Sequence, residues 1–279
     1  MNLSQLFINA SYARKFTDTA SWGVSGIVAY QKFKADGLGV FAGFSTNPGA
    51  VSNQSRDDSS GFGVKVGVQG KVGSSVTLAG SYQSEIAMSE LDKYAGLFAE
   101  QGDFDIPATL TLGLAWETSP KSTFTADVQV IYYSDVAAIA NPIGGLTDGN
   151  CIPGPTGGTG PQCLGANDGA GFGWEDMTII KLGYQWASGT DWMWRVGLSN
   201  GDQPIPDTET IFNIIAPAVV ETHLTGGFTK KLGSNSELSA ALLFVPNADV
   251  QGTSAFDPNQ TIKLEMSQWE AEVSYGMKF

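Results

Sequence analysis

Asp105-Ile106-Pro107-Ala108-Thr109-Leu110-Thr111-Leu112-Gly113-Leu114-Ala115-Trp116-Glu117 is followed, after Thr118-Ser119-Pro120-Lys121-Ser122, by Thr123-Phe124-Thr125-Ala126-Asp127-Val128-Gln129-Val130-Ile131-Tyr132-Tyr133. Reading every second residue separates two faces. Ala108, Leu110, Leu112, Leu114 and Trp116 lie on one, with Thr109, Thr111, Gly113, Ala115 and Glu117 on the other. The return run repeats this, with Phe124, Ala126, Val128, Val130 and Tyr132 against Thr123, Thr125, Asp127 and Gln129. Side chains of a strand alternate between faces, so the pattern is period-2 amphipathicity, twice, across a short polar turn. An aromatic residue ends each apolar face. Repeated hairpins of this kind are the mark of a transmembrane β-barrel, with lipid outside and a polar lumen inside.

The same reading extends outward along the chain. Apolar faces recur at Leu6-Ile8-Ala10-Tyr12, Trp22-Val24-Gly26-Val28-Tyr30, Phe62-Val64-Val66-Val68 and Val76-Leu78-Gly80-Tyr82. Beyond the central hairpin they recur at Thr178–Trp186, Trp192–Leu198, Val220–Phe228, Leu238–Phe244 and in the final run to Phe279. That predicts an all-β, antiparallel barrel wall of eleven strands forming a single domain over residues 1–279. Short turns (Phe16–Ala20, Lys71–Ser75, Thr118–Ser122, Ala187–Thr190, Leu232–Asn235) alternate with long insertions. The insertions are read at Phe33–Ser59, Ala87–Phe104, Val136–Gly173, Asn200–Ala216 and Pro246–Gln260. Short periplasmic turns and long extracellular loops are the asymmetry expected of such barrels. In the last strand the apolar positions change phase, from Ile262-Leu264-Met266 to Trp269-Val273-Tyr275-Phe279, which predicts a bulge near Ser267–Gln268.

Composition agrees. Mean hydropathy is −0.04 and only 15% of residues are charged, as when alternation averages an oily and a polar face. No apolar run approaches the ~18 residues of a helical span. The net charge of −13 speaks against nucleic acid, which needs clustered Lys and Arg. The acidity suits solvated loops, a polar lumen and a surface set among lipopolysaccharide. Cys151 and Cys163 sit close together in a Gly/Pro loop without His or acidic ligands, which predicts a disulfide rather than a metal site and an oxidising route. Neither a metal nor a cofactor is expected. Met1–Ile8 lacks the features of an export signal. Barrels of this kind have an even number of strands, so an odd count leads to the expectation that an N-terminal portion is absent.

Gly102-Asp103-Phe104-Asp105-Ile106-Pro107-Ala108, Phe172-Gly173-Trp174-Glu175-Asp176, Ile211-Phe212-Asn213-Ile214-Ile215-Ala216-Pro217-Ala218-Val219-Val220-Glu221 and a terminal Phe279 together resemble the FadL/TodX family. These are outer-membrane channels for long-chain fatty acids and aromatic hydrocarbons. The resemblance implies a barrel of about fourteen strands, an N-terminal hatch and a signal peptide. The hatch and the first strands have no counterpart here. It also implies that insertions Phe33–Ser59 and Ala87–Phe104 form a hydrophobic capture groove. The residues support this independently, because Leu91, Tyr94, Ala95 and Phe98 share one face of a predicted helix over Met88–Glu100. Candidate capture residues are Phe33, Leu38, Phe41, Phe44, Leu91, Tyr94, Leu97 and Phe98; the alternative is that the two loops merely bury each other as a lid.

On the lumenal face, Lys181 and Arg195 are candidates to meet a fatty-acid carboxylate, and ion pairs that hold the wall are the alternative. His223, the only histidine, has no nucleophile at motif spacing, and no Gly-x-Ser-x-Gly, phosphate-loop, HExxH or CxxC motif is present. The expected function is therefore not enzymatic. It is passive uptake of hydrophobic small molecules by a monomer of the bacterial outer membrane, soluble in vitro only with detergent. Long-chain fatty acids lead as substrate, and aromatic hydrocarbons are the alternative. A general porin, an outer-membrane lipid hydrolase and a soluble β-sandwich are the competing readings.

Overall fold

The computed structural model describes residues 1–278; the predicted terminal aromatic, Phe279, lies outside the described residues. One antiparallel sheet runs through the chain. Its strands are β1 (Asn2–Lys15), β2 (Ala20–Lys34), β3 (Asp57–Val72), β4 (Val76–Gln83), β5 (Ala87–Met88), β6 (Thr109–Ser119), β7 (Ser122–Ile131), β8 (Met177–Ser188), β9 (Trp192–Gly201), β10 (Thr222–Lys231), β11 (Ser236–Ser254) and β12 (Asp257–Met277). Every long strand pairs with its sequence neighbours, giving the eleven-strand meander read from the alternation. The two-residue β5 is additional and sits on β3 where β4 has left it. β1 and β12 are the two edges of this sheet, which is not closed among the described residues.

Register sorts the residues as the alternation requires. Leu110 faces Val130, Leu112 faces Val128 and Trp116 faces Phe124 on the outer face, while Thr111 faces Gln129 and Gly113 faces Asp127 on the inner. Among the described residues no second sheet or helix covers the outer face: Leu112 is 57% and Val128 42% exposed, and Val66, Ile180, Val196, Leu242 and Val273 are exposed with them. Near the short turns this face carries aromatic rings, with Trp192 stacked on Trp194 at 5.4 Å and Tyr184 on Trp186 at 5.7 Å. Lys230 Nζ lies 4.9 Å above the Trp192 ring, so its stem lies on apolar surface while its charge reaches the boundary. A continuous oily band with an aromatic rim is the surface of a wall made for hydrocarbon.

Two expectations about the last hairpin are corrected. Pro246–Gln260 is not an irregular insertion: β11 and β12 continue as a ribbon to a turn at Ala255-Phe256. The strict alternation of short and long connections therefore stops before this last one. The register break also lies on the other strand, where Pro246 and Asn247 together oppose Ser267 between the pairs Val245–Gln268 and Ala248–Met266. A proline is tolerated at such a bulge because it has no ladder hydrogen to lose. Along β12 the even positions stay inward throughout. Ile262 and Leu264 are buried because Ile205 and Val219 of the preceding loop cover them.

Candidate functional site

The long connections converge into one cap over one end of the wall. The segment between β4 and β6 folds back over the inner face of β2, where Ile86, Met88 and Ile106 cover Ile27 and Ala29. Gln31, also inward and fully buried, anchors it by donating to Ser59 Oγ at 2.8 Å and to the Phe104 carbonyl at 3.1 Å. Buried amides are kept when each polar atom finds a partner, and here Gln31 Oε1 accepts from Gln5 Nε2 as well.

Above this lies the cap core. Phe33, Leu91, Tyr94, Phe98 and Phe104 pack with Val136, Ile139 and Phe172. Phe33 stands edge-on to Tyr94 at 4.7 Å and to Phe98 at 4.9 Å, a favourable arrangement for aromatic pairs. The Tyr94 hydroxyl accepts the Ala35 N–H at 3.0 Å and donates to the Gln54 carbonyl, tying the first loop to the second. The predicted helix over Met88–Glu100 is not formed. A single 3-10 turn spans Asp92–Tyr94, and Glu100 and Gln101 take φ of 52° and 59°. Gly96 and Gly102 sit against other backbone, Gly96 on Asn47 and Gly102 on Leu91, so this segment is a tight irregular chain rather than a cylinder. Leu91 and Tyr94 are nevertheless buried together, because i and i+3 of a 3-10 turn also share a face, and Phe98 is buried beyond the turn against Phe33.

A third packing unit was predicted only as a disulfide. Cys151 and Cys163 are bonded, with Cα atoms 4.8 Å apart. The closed loop lies against Phe44: Leu164 N–H donates to the Phe44 carbonyl at 3.0 Å, and Gly158 N–H to the Ser45 carbonyl at 2.8 Å. Phe44 and Phe41 meet Phe256 at the tip of the β11–β12 ribbon, at 5.4 and 5.9 Å. The disulfide loop and the last hairpin thus fix one wall of the cap from two sides.

Between these units is an apolar crevice of about 30 Å³, lined by Met1, Leu38, Phe41, Leu97, Phe98, Phe172, Phe212, Ile215 and neighbouring small residues. The eight candidate capture residues divide here. Phe33, Leu91 and Tyr94 form the floor of the core, Phe44 backs the disulfide side, and Leu38, Phe41, Leu97 and Phe98 reach the crevice. The opposite wall, Ala138, Phe172, Phe212 and Ile215, comes from the two later loops and was not among the candidates. Phe172 and Phe212 did stand in the segments that carried the family resemblance, the one signal available for them. No charged side chain lines the crevice.

Acidic groups stand below it. Asp105 Oδ1 accepts the Met88 N–H at 2.6 Å. Burial, then the adjacent carboxyl of Asp105 and the charge of Glu90, push Asp103 up to about 7. One oxygen of Asp103 is buried without a partner. Burial likewise raises Glu209, although its Oε2 accepts the Ile143 N–H at 2.8 Å.

The lumenal candidates lie lower on the wall. Lys181 Nζ donates to Gln129 Oε1 at 2.7 Å and Arg195 Nη1 to Thr229 Oγ1 at 2.9 Å. Neither joins a carboxylate among the described residues, where wall pairing is limited to contacts such as Lys71–Glu117 at 3.9 Å. His223 stands opposite Ser199 in the register, and no hydrogen bond joins their side chains.

No protein-family model matches the chain, and no curated protein matches it. Solved structures do. The toluene transporter TodX of Pseudomonas putida superimposes with a TM-score of 0.62 at 19% identity, over 99% of this chain and 70% of that one. The toluene transporter TbuX of Ralstonia pickettii gives 0.59 at 16% identity, over 99% and 68%. A FadL homologue of Pseudomonas aeruginosa gives 0.58 at 14%, over 98% and 67%. The fold is therefore that of the FadL/TodX-type β-barrels.

Proposed function

We propose that this chain forms the wall and mouth of an outer-membrane channel of the FadL/TodX kind, through which hydrophobic small molecules pass without an energy source. The carrying observation is the pairing of two surfaces: an oily band around the outside of the sheet, and an apolar crevice in the cap above it that no charged side chain lines. The likeness to toluene transporters and a FadL homologue supports this reading. In it the chain is a single-domain monomer set in outer-membrane lipid and lipopolysaccharide, needs no cofactor, and catalyses nothing.

The crevice favours the aromatic alternative over fatty acids at the capture step. Burying an unpaired carboxylate among Phe41, Phe98, Phe172 and Phe212 is costly, whereas a neutral ring gains ~25 cal/mol for each Å² of apolar surface it hides. An acid captured by its tail would leave its head group outside, with Lys65, Lys181 and Arg195 among the cations on the inner face of the wall. The crevice is nearly closed in this state, so entry requires the phenylalanines to part.

Uptake of labelled toluene and oleate by cells that express the protein tests the proposal. Faster entry of toluene is expected. Entry of oleate alone would return the acids to first place. Leakage of small hydrophilic solutes would mark a porin, and no change for any solute would remove the channel. One observation keeps a hydrolase in view, the opposition of Ser199 and His223. A triad needs a nucleophile hydrogen-bonded to its base and a third group orienting that base. His223→Ala is therefore expected to leave both toluene uptake and lipid ester levels unchanged.

A further inference from the structure

We propose that Asn213 is a positioning residue for the crevice: it sets the separation of Phe172 and Phe212, and so the size of ring the crevice accepts. This rests on the capture reading above. Asn213 is fully buried. Its Nδ2 donates to the Phe172 carbonyl at 2.8 Å and the Glu209 carbonyl at 2.7 Å, while its Oδ1 accepts from Trp174 Nε1 at 2.6 Å. Carbonyls only accept and an indole N–H only donates, so a single orientation of the amide satisfies all three partners.

These bonds join two loops distant in sequence. Phe172 and Trp174 belong to the loop between β7 and β8, and Glu209 and Phe212 to the loop between β9 and β10. Phe172 and Phe212 each contribute a ring to the crevice. The Trp174 ring is braced edge-on by Tyr133 at 5.1 Å, so the indole N–H is aimed and held. Gly173, at φ 68°, packs on the Glu209 side chain, and any larger residue would collide there. A second clamp lies beneath, where Glu209 Oε2 takes the Ile143 N–H. The amide of Asn213 thus touches the backbone under one of these two rings and stands next in sequence to the other. Moving it moves the rings relative to each other.

Two variants test this in the full chain in detergent micelles, with toluene and naphthalene binding measured by headspace partition. Asn213→Asp keeps the shape and an acceptor for Trp174, but offers no donors to the two carbonyls. Trp174→Phe keeps a ring and removes one donor, and it decides the matter if the first variant does not fold. Trp174→Phe is expected to weaken toluene binding about tenfold, the size of one buried hydrogen bond lost, and Asn213→Asp, which loses two, by more. The preference between toluene and naphthalene should change as well, since the wall spacing is no longer set. The double variant should lose less than the product of the singles, because the two side chains act in one network. Toluene affinity within twofold of the original in both folded variants would overturn the proposal. So would equal weakening of both hydrocarbons, which a merely structural role predicts. Failure of the unaltered chain to bind either compound would instead remove the crevice reading, and the inference with it.

Discussion

The wall and the cap are stabilised by different physics. In the wall, backbone hydrogen bonds between neighbouring strands satisfy every level of the sheet, and side chains need only face the correct medium. Leu112 opposite Val128 is typical: its partner is across one strand, and the rest of its side chain is exposed on the outer face. In the cap, backbone groups are satisfied one at a time, by backbone of other loops and by the buried side chains of Tyr94, Gln31, Asn213 and Glu209, each with named partners. A wall of this kind tolerates changes that keep the side chain's polarity. A cap of this kind depends on single residues. The contrast teaches that the cap is the part of the molecule with the fewest interchangeable contacts.

The largest expected effect breaks the wall. Leu112→Arg places a charge in the oily band near mid-depth and should cost about 2–4 kcal/mol of folding into lipid. Thr111→Arg, one residue away on the inner face, should cost much less. Folding titrations into vesicles, read by the mobility shift of folded barrel on unheated gels, measure both. Equal costs would mean that the two faces do not differ in medium.

Next comes the disulfide, which separates the two regions. Cys151→Ser with Cys163→Ser releases a closed loop of 12 residues and should remove up to about 3 kcal/mol from the cap alone. Limited proteolysis should then cut near Phe41–Phe44 while the strands remain intact. Loss of the barrel itself would show that cap and wall fold as one unit.

The smallest effect is a pH dependence of the cap. Asp103 is raised from 3.8 to about 7, so its neutral form is favoured in the folded cap. An acid with a raised folded value gives full stability below its unfolded value and loses it as pH rises through the folded one. The cap should therefore loosen between about pH 4 and 7 and change little above, with Asp105, raised in the same direction, contributing alongside. Asp103→Asn should flatten much of that slope without moving the wall. Hydrogen exchange at Phe98 and Phe104 across this range reports it.

What could be read from the sequence follows the same division. A strand in a barrel wall needs only a period of two, and Thr109–Trp116 and Phe124–Tyr132 display it without help from distant residues. The period continues at Ala248–Gly252 and Ile262–Met266, but Pro246 and the Asp and Asn residues around it concealed a ribbon whose bulge they form. In the cap, Leu91, Tyr94 and Phe98 of the second loop are buried, but the segment is not the helix their spacing predicts. Gly96 and Gly102 approach backbone from other segments, and such contacts carry no periodic trace. Ile27 and Ala29, apolar on a polar face, gave a local hint that something covers the inner wall. The role of Asn213 left no local trace, because two of its three partners lie 39 and 41 residues away.

The central claim, that neighbouring side chains of the wall meet different media, has one direct measurement. Spin labels on single cysteines introduced at Thr111, Leu112, Val128 and Gln129 in lipid bilayers would be read for collisions with oxygen and with a water-soluble nickel chelate. The account predicts strong oxygen exposure at 112 and 128 and strong nickel exposure at 111 and 129. All four positions behaving alike, or the two pairs exchanged, would contradict it.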